Sequence, residues 1–148
     1  MKSIFIILSL LLSFSSFAHD GGHGSIAESG KFGGVLSPIV LKKEAGKGDD
    51  AHVLYKAELV RNESGKLSFY LFDNKMNLMD LKDFSEEIKA NLEVKKKGKF
   101  TYVGEFKLKK DGNHFTGQLP KIVYKPFNID FFLSHGKEDL FVGFSNLD

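Results

Sequence analysis

The chain has 148 residues, 42% of them hydrophobic and 13% aromatic, with a formal charge of +2 at pH 7 and no cysteine. The lack of cysteine excludes a disulfide framework and a cysteine-linked lipid anchor, so a stable fold must rest on an apolar core. Lys and Arg number 21 against 19 Asp and Glu, a balance that argues against a nucleic-acid binder, in which basic charge gathers on one face.

Lys2 precedes an apolar run over residues 4–14 that only Ser9 and Ser13 interrupt. A transmembrane helix needs about 20 apolar residues, so this run is too short to span. Small residues at Ser16 and Ala18 complete a secretory signal peptide over residues 1–18. Cleavage after Ala18 leaves His19 as the mature N-terminus, with no membrane span remaining and a periplasmic or secreted address. It also removes Lys2, the one charged residue of the leader, and lowers the formal charge from +2 to +1.

Residues 19–33 hold Gly21, Gly22, Gly24, Gly30 and Gly33 with few large apolar side chains, which predicts a flexible segment unless a ligand or partner orders it. The folded domain is expected over 34–148. Its first strand is predicted over 34–41, followed by a polar loop. A second covers 52–61, with Val53, Tyr55, Ala57 and Leu59 on one face and Lys56 and Glu58 on the other. The turn over 62–65 leads into a strand over 66–73. There both faces are apolar, Leu67, Phe69 and Leu71 alternating with Tyr70 and Phe72, so cover is expected on both sides. Residues 74–77 read as a turn, and residues 83–90 as a short helix with Asp83 at its N-cap.

Strand character returns at Leu92 and Val94. The cluster Lys95, Lys96, Lys97 and Lys99 beside Gly98 reads as a solvated hairpin end. A strand over 100–109 follows, with Tyr102, Gly104, Phe106 and Leu108 in phase, and Asp111-Gly112 gives the strongest hairpin signal in the chain. After a strand over 114–119 come two closing strands, carrying Phe127, Ile129, Phe131 and Leu133, then Leu140, Val142 and Phe144. The pattern predicts one all-β domain, an antiparallel β-sandwich or open barrel of immunoglobulin-like type with about seven or eight short strands.

Few residues are equipped for chemistry. No Gly-x-Ser-x-Gly elbow, phosphate-binding glycine loop or cysteine nucleophile occurs, and the paired carboxylates Asp49-Asp50, Glu86-Glu87 and Glu138-Asp139 fall in polar surroundings, so no enzyme is expected. His19, Asp20 and His23 lie within five residues at the mature N-terminus. A terminal histidine offers its α-amine and its imidazole Nδ1 together, a donor set suited to copper or zinc. His52, His114 and His135 sit at predicted strand ends or turns, where one or two of them are candidates to approach that terminus. Met76 and Met79 are soft donors for Cu(I) in principle and core fillers by habit.

The runs Gly33-Gly34-Val35, Tyr55-Lys56-Ala57-Glu58-Leu59-Val60, Leu67-Ser68-Phe69-Tyr70-Leu71-Phe72-Asp73 and Met79-Asp80-Leu81 resemble small periplasmic β-domains associated with heavy-metal efflux and copper handling. Those domains read as His-Gly-Gly, a Tyr-x-x-Glu-Leu strand and a Tyr-x-x-Asp strand leading into a polar turn. The resemblance covers about the middle third of the mature chain. Phe32 stands where they carry histidine before Gly-Gly, and the nearest counterpart is Asp20-Gly21-Gly22-His23. Glu58 and Asp73 carry over as strand positions without an assigned chemical role. The resemblance implies a heavy-metal or copper-handling role with an envelope or efflux protein partner, while the terminal donor set itself makes His19, His23 and Asp20 the candidate ligands through which an exported protein would bind or deliver copper or zinc. The alternative is a non-metal β-module that binds a protein partner or envelope component through an exposed edge or aromatic face.

Overall fold

A computed structural model describes residues 30–121 and 124–148. Eight antiparallel strands account for most of it: β1 (Val35–Leu41), β2 (Tyr55–Arg61), β3 (Lys66–Phe72), β4 (Glu87–Lys96), β5 (Lys99–Asp111), β6 (His114–Gln118), β7 (Phe127–His135) and β8 (Glu138–Leu147). They follow one another around the wall as β1-β2-β3-β6-β5-β4-β7-β8, and the sheet closes where Val40 and Leu41 of β1 pair with Phe141 and Leu140 of β8. The protein is thus all-β and antiparallel, as the alternation of its side chains predicts, with its single sheet closed into a barrel by the β1–β8 pairing rather than left open.

Alternation decides what lies inside. Ala57 and Leu59, Leu67, Phe69 and Leu71, Ile88 to Val94 at every second position, and Phe127, Ile129, Phe131 and Leu133 all face a shared core. Its centre is aromatic. Phe69 meets Phe131 at 4.6 Å between ring centroids, Phe144 at 6.2 Å and Phe115 at 6.3 Å, mostly edge to face or tilted, the arrangements that ring quadrupoles favour. The outer faces of β4 and β5 carry Lys89, Glu105 and Lys107, so polarity runs opposite to that of a barrel facing lipid.

Two segments differ from the predicted elements. Residues 83–90 form no helix; residues 83–86 are irregular and Glu87 opens β4. Phe84 and Ile88, whose four-residue spacing suits a helix, are both buried, but Ile88 belongs to the period-two series that continues through Ala90, Leu92 and Val94. Strand pairing satisfies that whole series, where a short helix would satisfy only its first member. In β5, Tyr102 and Leu108 do not share a face. Leu92 pairs with Gly104 and Glu93 with Tyr102, leaving Val103 as the extra residue of a bulge that reverses the phase. Leu108 is accordingly buried and Tyr102 exposed.

The barrel has two distinct ends. One gathers the connections over 42–54 and 73–86 with the turns after Asp111 and His135, and there Leu81 and Phe84 fold over the opening. The other carries the turns over 62–65 and 97–98 and the 119–126 connection. It contains a cavity of about 220 Å³ whose lining includes Leu59, Leu67, Phe127, Ile129 and Leu147. Arg61 stands over the Phe127 ring at this mouth and donates to the main-chain oxygen of Asp148.

Candidate functional site

On β2, Ala57 and Leu59 point inward, which sends Glu58 to the outer wall, where a carboxylate would ordinarily meet water. Glu58 is instead fully buried, at 0% exposure. Residues 30–34 cross the wall above it and turn their amides inward. Lys31 N–H donates to Oε2 at 2.8 Å, Phe32 N–H to Oε1 at 2.8 Å and Gly34 N–H to Oε1 at 2.7 Å. No hydrogen-bonded cation compensates this carboxylate among the described residues; main-chain donors do, which is one of the few ways to bury such a group without a large desolvation cost.

The glycine pair makes the approach feasible. Gly33 has φ of +79°, the left-handed region that glycine enters without penalty, and a Cβ on Gly34 would lie 2.4 Å from the carbonyl oxygen of Leu59. The pair is therefore explained by a tight turn pressed against β2.

Beside the clamp runs a row of rings. Phe32 stacks on Tyr70 with centroids 4.1 Å apart, and Tyr70 stacks on His114 at 4.9 Å. Phe32 also covers Phe72, with the Lys31 ammonium 5.9 Å from the same ring. This is the second cover that the two apolar faces of β3 demand: core on one side, residues 31–32 on the other. Nδ1 of His114 is buried and meets no hydrogen-bond partner among the described residues.

The remaining sequence candidates are scattered. His52 is exposed, its N–H donating to Glu44 at 3.2 Å. His135 ends β7 on the inner rim, stacked on Phe84 at 4.4 Å, with Nδ1 3.4 Å from the Tyr55 hydroxyl. All three described histidines thus stand at one end of the barrel but on separate surfaces, and His114 alone lies on the wall that residues 30–34 cross. Asp73 organises the turn after β3, accepting from the amides of Lys75 and Asn77 at 2.8 Å each and from the Asn77 side chain at 2.9 Å. Those bonds, led by the Asn77 side chain, hold its carboxyl below the usual aspartate range. Met79 packs against the core, and Met76 occupies a left-handed turn position at φ 63°.

No group of three His, Cys, Asp or Glu side chains placed to hold a metal occurs among the described residues. His19, Asp20 and His23 lie outside the described residues, as does the proposed leader. Of the clamp and ring row, the sequence marks Glu58 as a strand position and gives Phe32 and Tyr70 no joint role. A carboxylate amid a strand of apolar neighbours, following a Gly-Gly pair, was the available signal. Comparison with protein-family profiles, with characterised proteins and with solved structures finds no match.

Proposed function

We propose that this is an exported metal-handling protein in which His19 and His23, with Asp20, bind copper or zinc while the barrel holds the base of that segment at a fixed place on its wall. The observation that supports this reading is the Glu58 clamp: a buried carboxylate is committed to three amides a short way downstream of His19, Asp20 and His23. A barrel needs no such clamp for its own closure, since its sheet already closes through β1 and β8. Eight residue steps separate His23 from Lys31, a reach of about 26–29 Å when extended. His114, two stacking steps from Phe32, is the described histidine best placed to complete a ligand set with them. Imidazole and amine nitrogens suit Cu(II) and Zn(II). The described barrel supplies no complete set by itself, so in this reading the N-terminal residues are indispensable.

The test is calorimetric titration of protein beginning at His19 with Cu(II) and with Zn(II). The expected outcome is one-to-one binding, lost in the His19→Ala, His23→Ala double variant and weakened about tenfold or more in His114→Ala, as removal of a ligand implies. Binding that is weak, or indifferent to the double substitution, would reject the metal reading and leave a partner-binding barrel as the better account.

A further inference from the structure

The β4–β5 hairpin extends past its neighbours. β7 pairs with β4 as far as Val94, β6 pairs with β5 only over residues 109–111, and the last main-chain hydrogen bond to the wall among the described residues is the Lys95 N–H donating to Pro126 at 3.1 Å. Beyond it, Lys95 faces Phe100 and Lys96 faces Lys99, and no third strand pairs with the tip among the described residues.

Charge is segregated along this arm. Toward its base three of the lysines are matched, Lys107 with Glu87 at 2.5 Å, Lys110 with Glu86 at 3.0 Å and Lys89 with Glu105 at 4.0 Å, while Lys109 makes no ion pair among the described residues. At its tip Lys95, Lys96, Lys97 and Lys99 have no carboxylate partner among the described residues. Apolar groups accompany them. Tyr102 is 57% exposed, and Val103 and Tyr124 are close to half exposed. The Lys95 ammonium lies 5.8 Å from the Phe100 ring centroid and that of Lys96 lies 5.0 Å from the Tyr124 centroid.

Lysines alone would suffice to keep a turn solvated and to guard a strand edge. They do not account for two tyrosines and a valine displayed at the same end. Lysine ammonium groups set over aromatic rings, with exposed tyrosines a few residues from them, match the chemistry of a lipid headgroup interface. Single-stranded nucleic acid fits less well, because it needs open ring faces for base stacking and the Phe100 and Tyr124 faces carry ammonium groups. We infer that the β4–β5 arm is a membrane-surface contact: its tip lysines engage anionic phospholipid headgroups while Tyr102, Val103 and Tyr124 enter the interface. These residues are separate from the metal reading, and the inference stands independently of it.

Vesicle co-sedimentation of the mature chain tests this, using phosphatidylcholine vesicles with and without phosphatidylglycerol. Binding should require phosphatidylglycerol, decline with added salt, and fall on the order of a hundredfold in the Lys96→Ser, Lys97→Ser, Lys99→Ser variant, about fivefold for each lysine. The Tyr102→Ser, Val103→Ser variant should bind more weakly while keeping its salt dependence. Circular dichroism checks that each variant retains its fold. Failure to bind the anionic vesicles, equal binding to both vesicle types, or undiminished binding by the lysine variant would overturn the inference. So would binding to single-stranded DNA in preference to vesicles, which would make the arm a general polyanion site.

Discussion

Glu58 exchanges the hydration of a strand-surface carboxylate for three amides from a segment 24 to 27 positions away in the chain. Substitution by Gln keeps the volume but replaces one acceptor oxygen with an NH₂ group, which confronts donors rather than receiving them. Glu58→Gln should therefore weaken the clamp locally by about 1–3 kcal/mol, the range for a buried donor left without its acceptor, with little change in the urea midpoint of the barrel. Hydrogen exchange at the amides of Lys31, Phe32 and Gly34 should accelerate, while the β7 amides keep their protection. Uniform acceleration would mean that Glu58 supports the whole barrel rather than the clamp. A loss confined to residues 31–34 would separate anchoring of the segment from folding of the scaffold.

Among the elements, the β4–β5 hairpin carries an ion pair in which both groups are shifted, Glu87 with Lys107. The Lys107 hydrogen bond and charge hold Glu87 below the usual glutamate range, and Glu87 raises Lys107 above the usual lysine range. The depressed carboxyl contributes above its unfolded value and loses that contribution as pH falls through the folded one; the raised ammonium contributes below its unfolded value and loses it as pH rises through the folded one. The pair is thus intact between the ordinary carboxylate and lysine ranges. Both side chains are nearly half exposed, so solvent discounts its worth. Glu87→Gln should return Lys107 toward its ordinary value in an NMR titration while leaving the melting temperature almost unchanged. A large drop in melting temperature would show the pair to be structural.

Elements with strict alternation were legible from residues alone. β7 and β8 follow Phe127 to Leu133 and Leu140 to Phe144, and Asp111 with Gly112 makes the tight connection to His114. Residues 83–90 misled because Phe84 and Ile88 satisfy helical spacing and strand burial equally, and only pairing with β5 and β7 chooses between them. The bulge at Val103 had no local sign, since its cause is register against β4. The candidate site was half legible: Glu58 stood out by position, but its burial depends on residues 30–34 crossing the wall, a tertiary fact with no period to betray it.

For the molecule as a whole, the centre of the core is a cluster of phenyl rings from several strands. Phe69 is fully buried and touches rings from β6, β7 and β8, so it ties opposite walls together. Phe69→Ala should cost about 3–5 kcal/mol by denaturant titration, through lost transfer energy and the void left behind. A cost under about 1 kcal/mol would show that the core collapses readily around the gap.

The same closed wall has a consequence for connectivity. Val35 at the start of β1 and Leu147 at the finish of β8 line one small cavity, although they stand at opposite extremes of the barrel sequence. Around the circumference no strand is first or last. A linker joining residue 148 to residue 35 would span neighbouring positions, and the chain could then be opened at the turn between Asp111 and His114 with its sheet order unchanged. Such a rewired chain would begin and finish beside His114, freeing the barrel from the segment that now crosses its wall.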